Sequence, residues 1–160
     1  DNPRGVVGVV SEGSTERINS GVVTGRAGHF RTRQKNGDRK LILSHAGHRQ
    51  VLVYRKKENA VELIELPNGT VMGLPGTTAS RAKAIDLQIG DRFYAFTDGI
   101  VEASNPKGEE FGTKRVMDAF KSLSSKPVQK TVEALYAKVA KFTQVPDQQD
   151  DITILGFELN

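Results

Sequence analysis

The order of patterned segments predicts an α+β fold in which helices pack on an antiparallel sheet. Short runs rich in Val, Leu and Ile, separated by turn dipeptides, fill the first two thirds of the chain. Two later stretches then carry apolar residues at helical spacing, and the chain closes on one more apolar alternation. With 160 residues, 37% of them hydrophobic, the chain fits one globular domain spanning 1–160. Folding at this length typically buries roughly 70% of the surface the unfolded chain exposes, so neither disulfides nor a structural metal are needed to hold it.

The first 26 residues are rich in Gly, Ser and Val without clear period, and Gly5-Val6-Val7-Gly8-Val9-Val10 is a candidate buried strand. From Phe30 the pattern sharpens. Phe30–Gln34 and Lys40–His45 flank Asn36-Gly37, whose two residues tolerate the positive φ of a tight hairpin turn. Val51–Arg55 and Val61–Leu66 follow, the second closed by Pro67-Asn68-Gly69, which predicts four antiparallel strands in succession. A loop, Gly73-Leu74-Pro75-Gly76-Thr77-Thr78, interrupts this meander before Gly90-Asp91 turns into the strand Arg92–Phe96. Helices are expected over Thr113–Leu123, with Val116, Ala119, Phe120 and Leu123 on one face, and over Val128–Phe142, with Val132, Leu135, Val139 and Phe142. Ile152, Ile154 and Phe157 mark a closing strand, Ile152–Leu159. The expected core is Leu41, Leu43, Val51, Val53, Leu63, Phe93, Ala95, Ile152 and Ile154.

Composition excludes several chemistries. The chain has no cysteine, which removes thiol nucleophiles, zinc–thiolate sites and disulfides together and favours a bacterial cytoplasm over a secreted setting. No apolar run approaches the roughly 20 residues of a membrane span, and there is no signal-peptide pattern. The net charge of +4 is uneven: residues 1–57 carry twelve Lys and Arg against four Asp and Glu, and residues 58–160 carry eleven against fifteen. A basic front is ordinarily a solvated face, although it could meet nucleic acid, an acidic lipid surface or a phosphorylated partner; an acidic back could hold a divalent cation.

Two acidic motifs stand where a strand meets a loop, so that a carboxylate can leave the core and face a cleft. These are Thr97-Asp98-Gly99 and Asp150-Asp151-Ile152-Thr153. Gly99 lets the backbone turn beside Asp98. Side chains alternate along a strand, so only one of Asp150 and Asp151 can share a face with a given neighbour. Hard cations such as Mn²⁺ or Mg²⁺ take oxygen ligands and keep several waters, so two or three carboxylates on strand ends suffice for a site. A turn residue and a solvated strand edge are the plainer readings of the same motifs. His45 and His48 flank Ala46-Gly47, where they are expected to hydrogen-bond a turn, and the echo of that pattern in Ala27-Gly28-His29 has no repeat around it.

In order and spacing, Ser44-His45-Ala46-Gly47-His48, Tyr54-Arg55, Met72-Gly73-Leu74-Pro75-Gly76, Gly90-Asp91-Arg92-Phe93, Phe96-Thr97-Asp98-Gly99-Ile100-Val101-Glu102-Ala103, Phe111-Gly112 and Asp150-Asp151-Ile152-Thr153 form a series. It resembles the C-terminal half of metal-dependent protein serine/threonine phosphatases of the PP2C type, SpoIIE/RsbU branch. The resemblance covers residues 28–160; residues 1–27 match poorly. It implies an antiparallel β-sandwich with flanking helices and a dinuclear Mn²⁺ or Mg²⁺ centre at one end. The activity it implies is hydrolysis of phosphoserine or phosphothreonine on a regulatory protein, such as an anti-sigma-factor antagonist, by a metal-activated water attacking in line. By position, Asp98 and Asp150 correspond to ligands of one metal. Asp151 corresponds to a position read as orienting those ligands, and the reverse assignment of Asp150 and Asp151 stays open. An upstream sensor or receiver domain is expected in the full-length protein.

The family pattern also requires an Asp in an early strand and an Asp-Gly-His-Gly-like motif with the bridging carboxylate. Neither is visible: Asp98-Gly99 is the only Asp-Gly in the chain, and ahead of Ser44 the acids are Asp1, Glu12, Glu16 and Asp38. The chain is therefore expected to be either a domain cut on its N-terminal side or a degenerate member, a PP2C-like module that binds a signalling partner without catalysis. A nucleic-acid-binding hairpin built on Arg26, Arg31, Arg33, Lys35, Arg39 and Lys40 is a third reading. It lacks aromatics for stacking bases beyond Phe30, so no nucleic-acid partner is expected.

Overall fold

The computed structural model describes residues 5–9, 34–35, 38–43, 50–67, 83–144 and 152–159. In chain order the elements are β1 (Gly5–Val9), β2 (Gln34–Lys35), β3 (Asp38–Leu43), β4 (Gln50–Arg55), β5 (Ala60–Glu65), β6 (Lys83–Leu87) and β7 (Arg92–Phe96). A single turn of 3₁₀ helix, Asp98–Ile100, leads to α1 (Gly112–Ser122), α2 (Val128–Thr143) and β8 (Ile152–Glu158). The strands form two sheets, one of order β1-β8-β7-β4-β5 and one of order β2-β3-β6. All pairings are antiparallel except β1 with β8, which is parallel with Gly5 opposite Ile152.

The larger sheet is the middle layer, because its strands are apolar on both faces. In β4, Leu52 and Tyr54 turn to a core shared with α1 and α2, while Val51 and Val53 turn to a core shared with β3 and β6. A continuous apolar run such as Val51-Leu52-Val53-Tyr54 is what burial on both faces demands. On the helix side, Val116, Ala119 and Phe120 of α1 and Val132, Leu135 and Val139 of α2 meet Tyr94, Phe96, Ile152 and Ile154. On the other side, Leu41 and Leu43 of β3 and Ile85 and Leu87 of β6 meet Phe93, Ile64 and Leu159. Each large side chain buried here contributes roughly 1.5–3 kcal/mol. The result is an α+β sandwich of two sheets with helices on one face.

The α2–β8 contact depends on one glycine. A Cβ at Gly156 would lie 2.8 Å from Tyr94 Cδ1 and 2.9 Å from Val128 Cγ1, so only a bare backbone lets β8 sit under the start of α2. Tyr94 fills the space beside it and stacks on Phe120 with ring centroids 3.9 Å apart. Thr131, buried in α2, donates from Oγ1 to Leu123 O at 3.1 Å and so ties the turn between the helices.

The sequence reading departs from this structure in two places. The four strands expected as one meander are divided between the sheets: β3 pairs with β2 and β6, whereas β4 pairs with β5 and β7. Strand β6 has no counterpart among the expected strands, although Ile85 and Leu87 alternate with exposed Ala84 and Asp86. Lys35 lies opposite Asp38, while Asn36 and Gly37, expected as the turn, lie outside the described residues. Leu63 and Ala95 are half-buried, and the other expected core residues are buried. The glycine-rich loop at 73–78 and His29, His45 and His48 lie outside the described residues.

Candidate metal centre

At the end of β7 the chain leaves the sheet through a tightly held turn. Phe96 is buried in the helix-side core, Thr97 is extended (φ −80°, ψ 159°), and Gly99 and Ile100 return to the interior, Ile100 completely. Between them, Asp98 is exposed. Its backbone is fixed on both sides: Ile100 N donates to Thr97 O at 3.2 Å and Glu102 N donates to Asp98 O at 3.0 Å.

After this turn the chain makes a short hairpin. Gly112 N donates to Val101 O at 2.9 Å and Phe111 N to Ala103 O at 2.8 Å, and Ser104 pairs with Glu110. At the tip, Asn105 Oδ1 accepts from Lys107 N at 2.9 Å and Glu109 N at 3.0 Å, so one side chain takes the place of backbone acceptors in the turn. Arg115 in α1 supports the base: its Nη1 donates to Glu110 O at 2.7 Å and Phe111 O at 3.0 Å, and its guanidinium lies 4.9 Å from the Phe142 ring centroid.

Asp98 also sits beside the start of β8. The β7–β8 ladder runs from Arg92 opposite Glu158 to Phe96 opposite Ile154, and one further rung puts Thr97 opposite Thr153. That rung is made: Thr97 N donates to Thr153 O at 3.0 Å, and Thr153 N donates to Thr97 Oγ1 at 2.9 Å. Asp98 follows directly on this last rung, and its 3₁₀ turn packs against β8. Asp150 and Asp151, which precede Ile152 in sequence, lie outside the described residues. Among the described residues no group of three or more His, Cys, Asp or Glu could hold a metal ion. A surface carboxylate on a fixed turn is nevertheless the donor type that suits a hard cation.

The opposite end of β7 carries a second acid, with another purpose. Asp91 is buried and accepts from Arg55 Nη1 at 3.0 Å, Lys56 N at 3.1 Å and Gln88 N at 3.1 Å. Arg55 also meets Glu62 at 2.9 Å through Nε and Nη2, and donates from Nη1 to Asp86 O at 2.6 Å. Burial opposes the Arg55 charge, but the hydrogen bonds it donates to Asp91 and Glu62, with the attraction of the two carboxylates, outweigh it and raise its pKa. With its oxygens occupied by these donors, Asp91 is a structural knot between β4, β6 and β7. Sequence reasoning had assigned roles to neither Asp91 nor Thr97; the polar residue after Gly90 and the hydroxyl beside Asp98 were the available signals.

Two sheets with two helices on one face, and an acidic turn at a strand end, define a PP2C-like fold. Residues 30–160 match the family described as Stage II sporulation protein E (SpoIIE), and the chain belongs to that family. Among solved structures, the SiaA-PP2C domain of Pseudomonas aeruginosa is 24% identical, with a TM-score of 0.61 over 76% of this chain and 47% of that one. The phosphatase domain of the cell fate determinant SpoIIE from Bacillus subtilis is 17% identical, with a TM-score of 0.60 over 86% of this chain and 57% of that one. The RsbU and RsbW domains of a Mycobacterium tuberculosis protein are 23% identical, with a TM-score of 0.57 over 75% of this chain and 32% of that one. The chain thus spans about half the length of the first two solved structures. No curated protein matches it. Among the described residues no helix is long and apolar enough to cross a membrane.

Proposed function

We propose that this chain is the part of a PP2C-type protein serine/threonine phosphatase that contributes one side of a divalent-metal centre. The single observation that carries the reading is the rung between Thr97 and Thr153, after which exposed Asp98 follows directly on a turn packed against β8, in a chain of the SpoIIE family. Asp98 from the β7 side and Asp150 from the β8 side are the proposed ligands, with Asp151 orienting them. Oxygen donors of this kind suit Mn²⁺ or Mg²⁺. The phosphatase domain of SpoIIE from Bacillus subtilis was presoaked with Mn, which supports manganese as the first cation to try. When bound, the cation would supply charge neutralisation at the phosphate and a lowered pKa for an attacking water. The chain's own part is to hold exposed Asp98 on a turn anchored by buried Ile100.

The proposed substrate is phosphoserine or phosphothreonine on a small regulatory protein of the anti-sigma-factor-antagonist type, in a bacterial cytoplasm. The test is calorimetric titration of Mn²⁺ into the chain and into Asp98→Ala. Weak binding is expected in the first, and at least about tenfold weaker binding in the second, because affinity rises with the number of charged ligands. Equal binding by the two proteins would remove Asp98 from the centre. If the chain binds its phosphorylated partner but no Mn²⁺, the non-catalytic module is the correct reading.

A further inference from the structure

The rung that joins Thr97 to Thr153 is not an ordinary rung. In an antiparallel ladder, two residues opposite each other in a hydrogen-bonded pair exchange N–H to C=O bonds in both directions. Here one half is ordinary, Thr97 N to Thr153 O. In the other half the Thr153 N–H goes to the side chain, Thr97 Oγ1, at 2.9 Å. The Thr97 carbonyl accepts from Ile100 N instead, which is the bond that opens the turn carrying Asp98. The hydroxyl therefore stands in for a backbone acceptor at the position where the backbone leaves the ladder.

We infer that Thr97 is a positioning residue for the metal centre: its hydroxyl lets the chain turn at Asp98 while the first residues of β8 stay locked beside it. This inference rests on the metal-centre reading above. Without the hydroxyl, the Thr153 N–H must seek the Thr97 carbonyl, at the expense of the Ile100 bond, or separate from β7. Either change moves Asp98 relative to the residues that open β8. Serine keeps the acceptor, and valine keeps the shape without it.

Mn²⁺ titration of the 160-residue chain, Thr97→Val and Thr97→Ser, paired with amide exchange at Thr153 in metal-free protein, tests the inference. Thr97→Val should retain the far-ultraviolet circular dichroism of the parent, bind Mn²⁺ about tenfold or more weakly, and exchange its Thr153 amide faster. Thr97→Ser should restore both properties to within about threefold of the parent. Parent-like Mn²⁺ affinity in Thr97→Val overturns the positioning role while leaving the metal centre intact. If the parent itself binds no Mn²⁺, the metal-centre reading falls and the positioning role falls with it. Should Thr97→Val fail to fold, the parent and Thr97→Ser still decide: a Thr153 amide in the folded parent that exchanges as fast as a frayed end, or a folded Thr97→Ser with Mn²⁺ affinity at least tenfold weaker, overturns the role.

Discussion

Asp91 and Asp98 are separated by the length of one strand, yet their surroundings assign them opposite tasks. Asp98 is exposed on a turn, whereas Asp91 is buried with three donors on its carboxylate. Replacing Asp91 by Ala should cost about 3 kcal/mol, because it leaves the Lys56 and Gln88 amides and part of the Arg55 guanidinium without acceptors. Urea unfolding would measure it, with Asp98→Ala at an exposed position as the contrast, expected to cost clearly less. Tyr94 gives a pH dependence. Burial raises the pKa of its phenol, against the opposing influence of Arg92 and Thr131. Ionisation is therefore harder in the folded than in the unfolded chain. The stability this contributes is complete below about pH 10, where free phenols titrate, and is lost as pH rises through the higher folded-state value. The difference in unfolding free energy between the parent and Tyr94→Phe, followed from pH 8 to 11 (about the span in which phenols ionise), should change only at the alkaline end. Among single residues, Asp98 was legible because a carboxylate directly after an apolar strand is conspicuous. Asp91 was not, since a Gly-Asp pair before a strand looks like any turn until its donors from β4 and β6 are seen.

Elements were legible where their period was long and their neighbours local. Both helices fall within two residues of their expected ends, because Val116-Ala119-Phe120 and Val132-Leu135-Val139 follow helical spacing without interruption. Strand β6 was missed because Lys83–Leu87 contains only two large apolar residues and follows a stretch dominated by turn formers. The pairing of strands was legible least. Nothing local to β3 says that its partner is β6 and not β4; that choice is made by the two faces of β4, which need β5 and β7 at the edges and other layers above and below. At this scale the sharpest prediction concerns β8 and α2. Gly156→Ala forces a methyl into Tyr94 and Val128 and should destabilise by about 1–3 kcal/mol. A double cycle with Val128→Ala, also read by urea unfolding, should show that trimming Val128 recovers part of the loss.

For the molecule as a whole, one sheet serves two cores. Tyr94 and Phe96 of β7 face the helices while Phe93 faces the smaller sheet, so neither outer layer can detach without uncovering an apolar face of the middle one. A single cooperative transition is expected, with circular dichroism and tyrosine fluorescence giving coincident midpoints in urea. Activity is also a property of the whole. The family resemblance expects carboxylates that residues 1–160 do not visibly supply, and the chain spans about half the length of the SiaA and SpoIIE domains it resembles. The chain alone is therefore expected to hydrolyse p-nitrophenyl phosphate or a phosphoserine peptide poorly with Mn²⁺. A protein in which it is joined to the other half of a SpoIIE-type domain should turn over, and Asp98→Ala and Asp150→Ala should each abolish that turnover. Rapid hydrolysis by the 160-residue chain would mean that another acid, Asp38 first, completes the centre.

Lys83 and Arg55 do more than join the sheets. Lys83 Nζ donates to Glu65 O at 2.7 Å and Arg55 Nη1 to Asp86 O, so a carbonyl on each of the outer strands β5 and β6 already has a cationic partner. Foreign strands recruit themselves to open sheet borders through such carbonyls, and a charged side chain lying across the border is an obstacle to them. The same two residues that hold the sandwich shut should thus keep it dispersed at high concentration. Lys83→Ala would expose one border and should raise light scattering on prolonged incubation, even where its unfolding midpoint is unchanged.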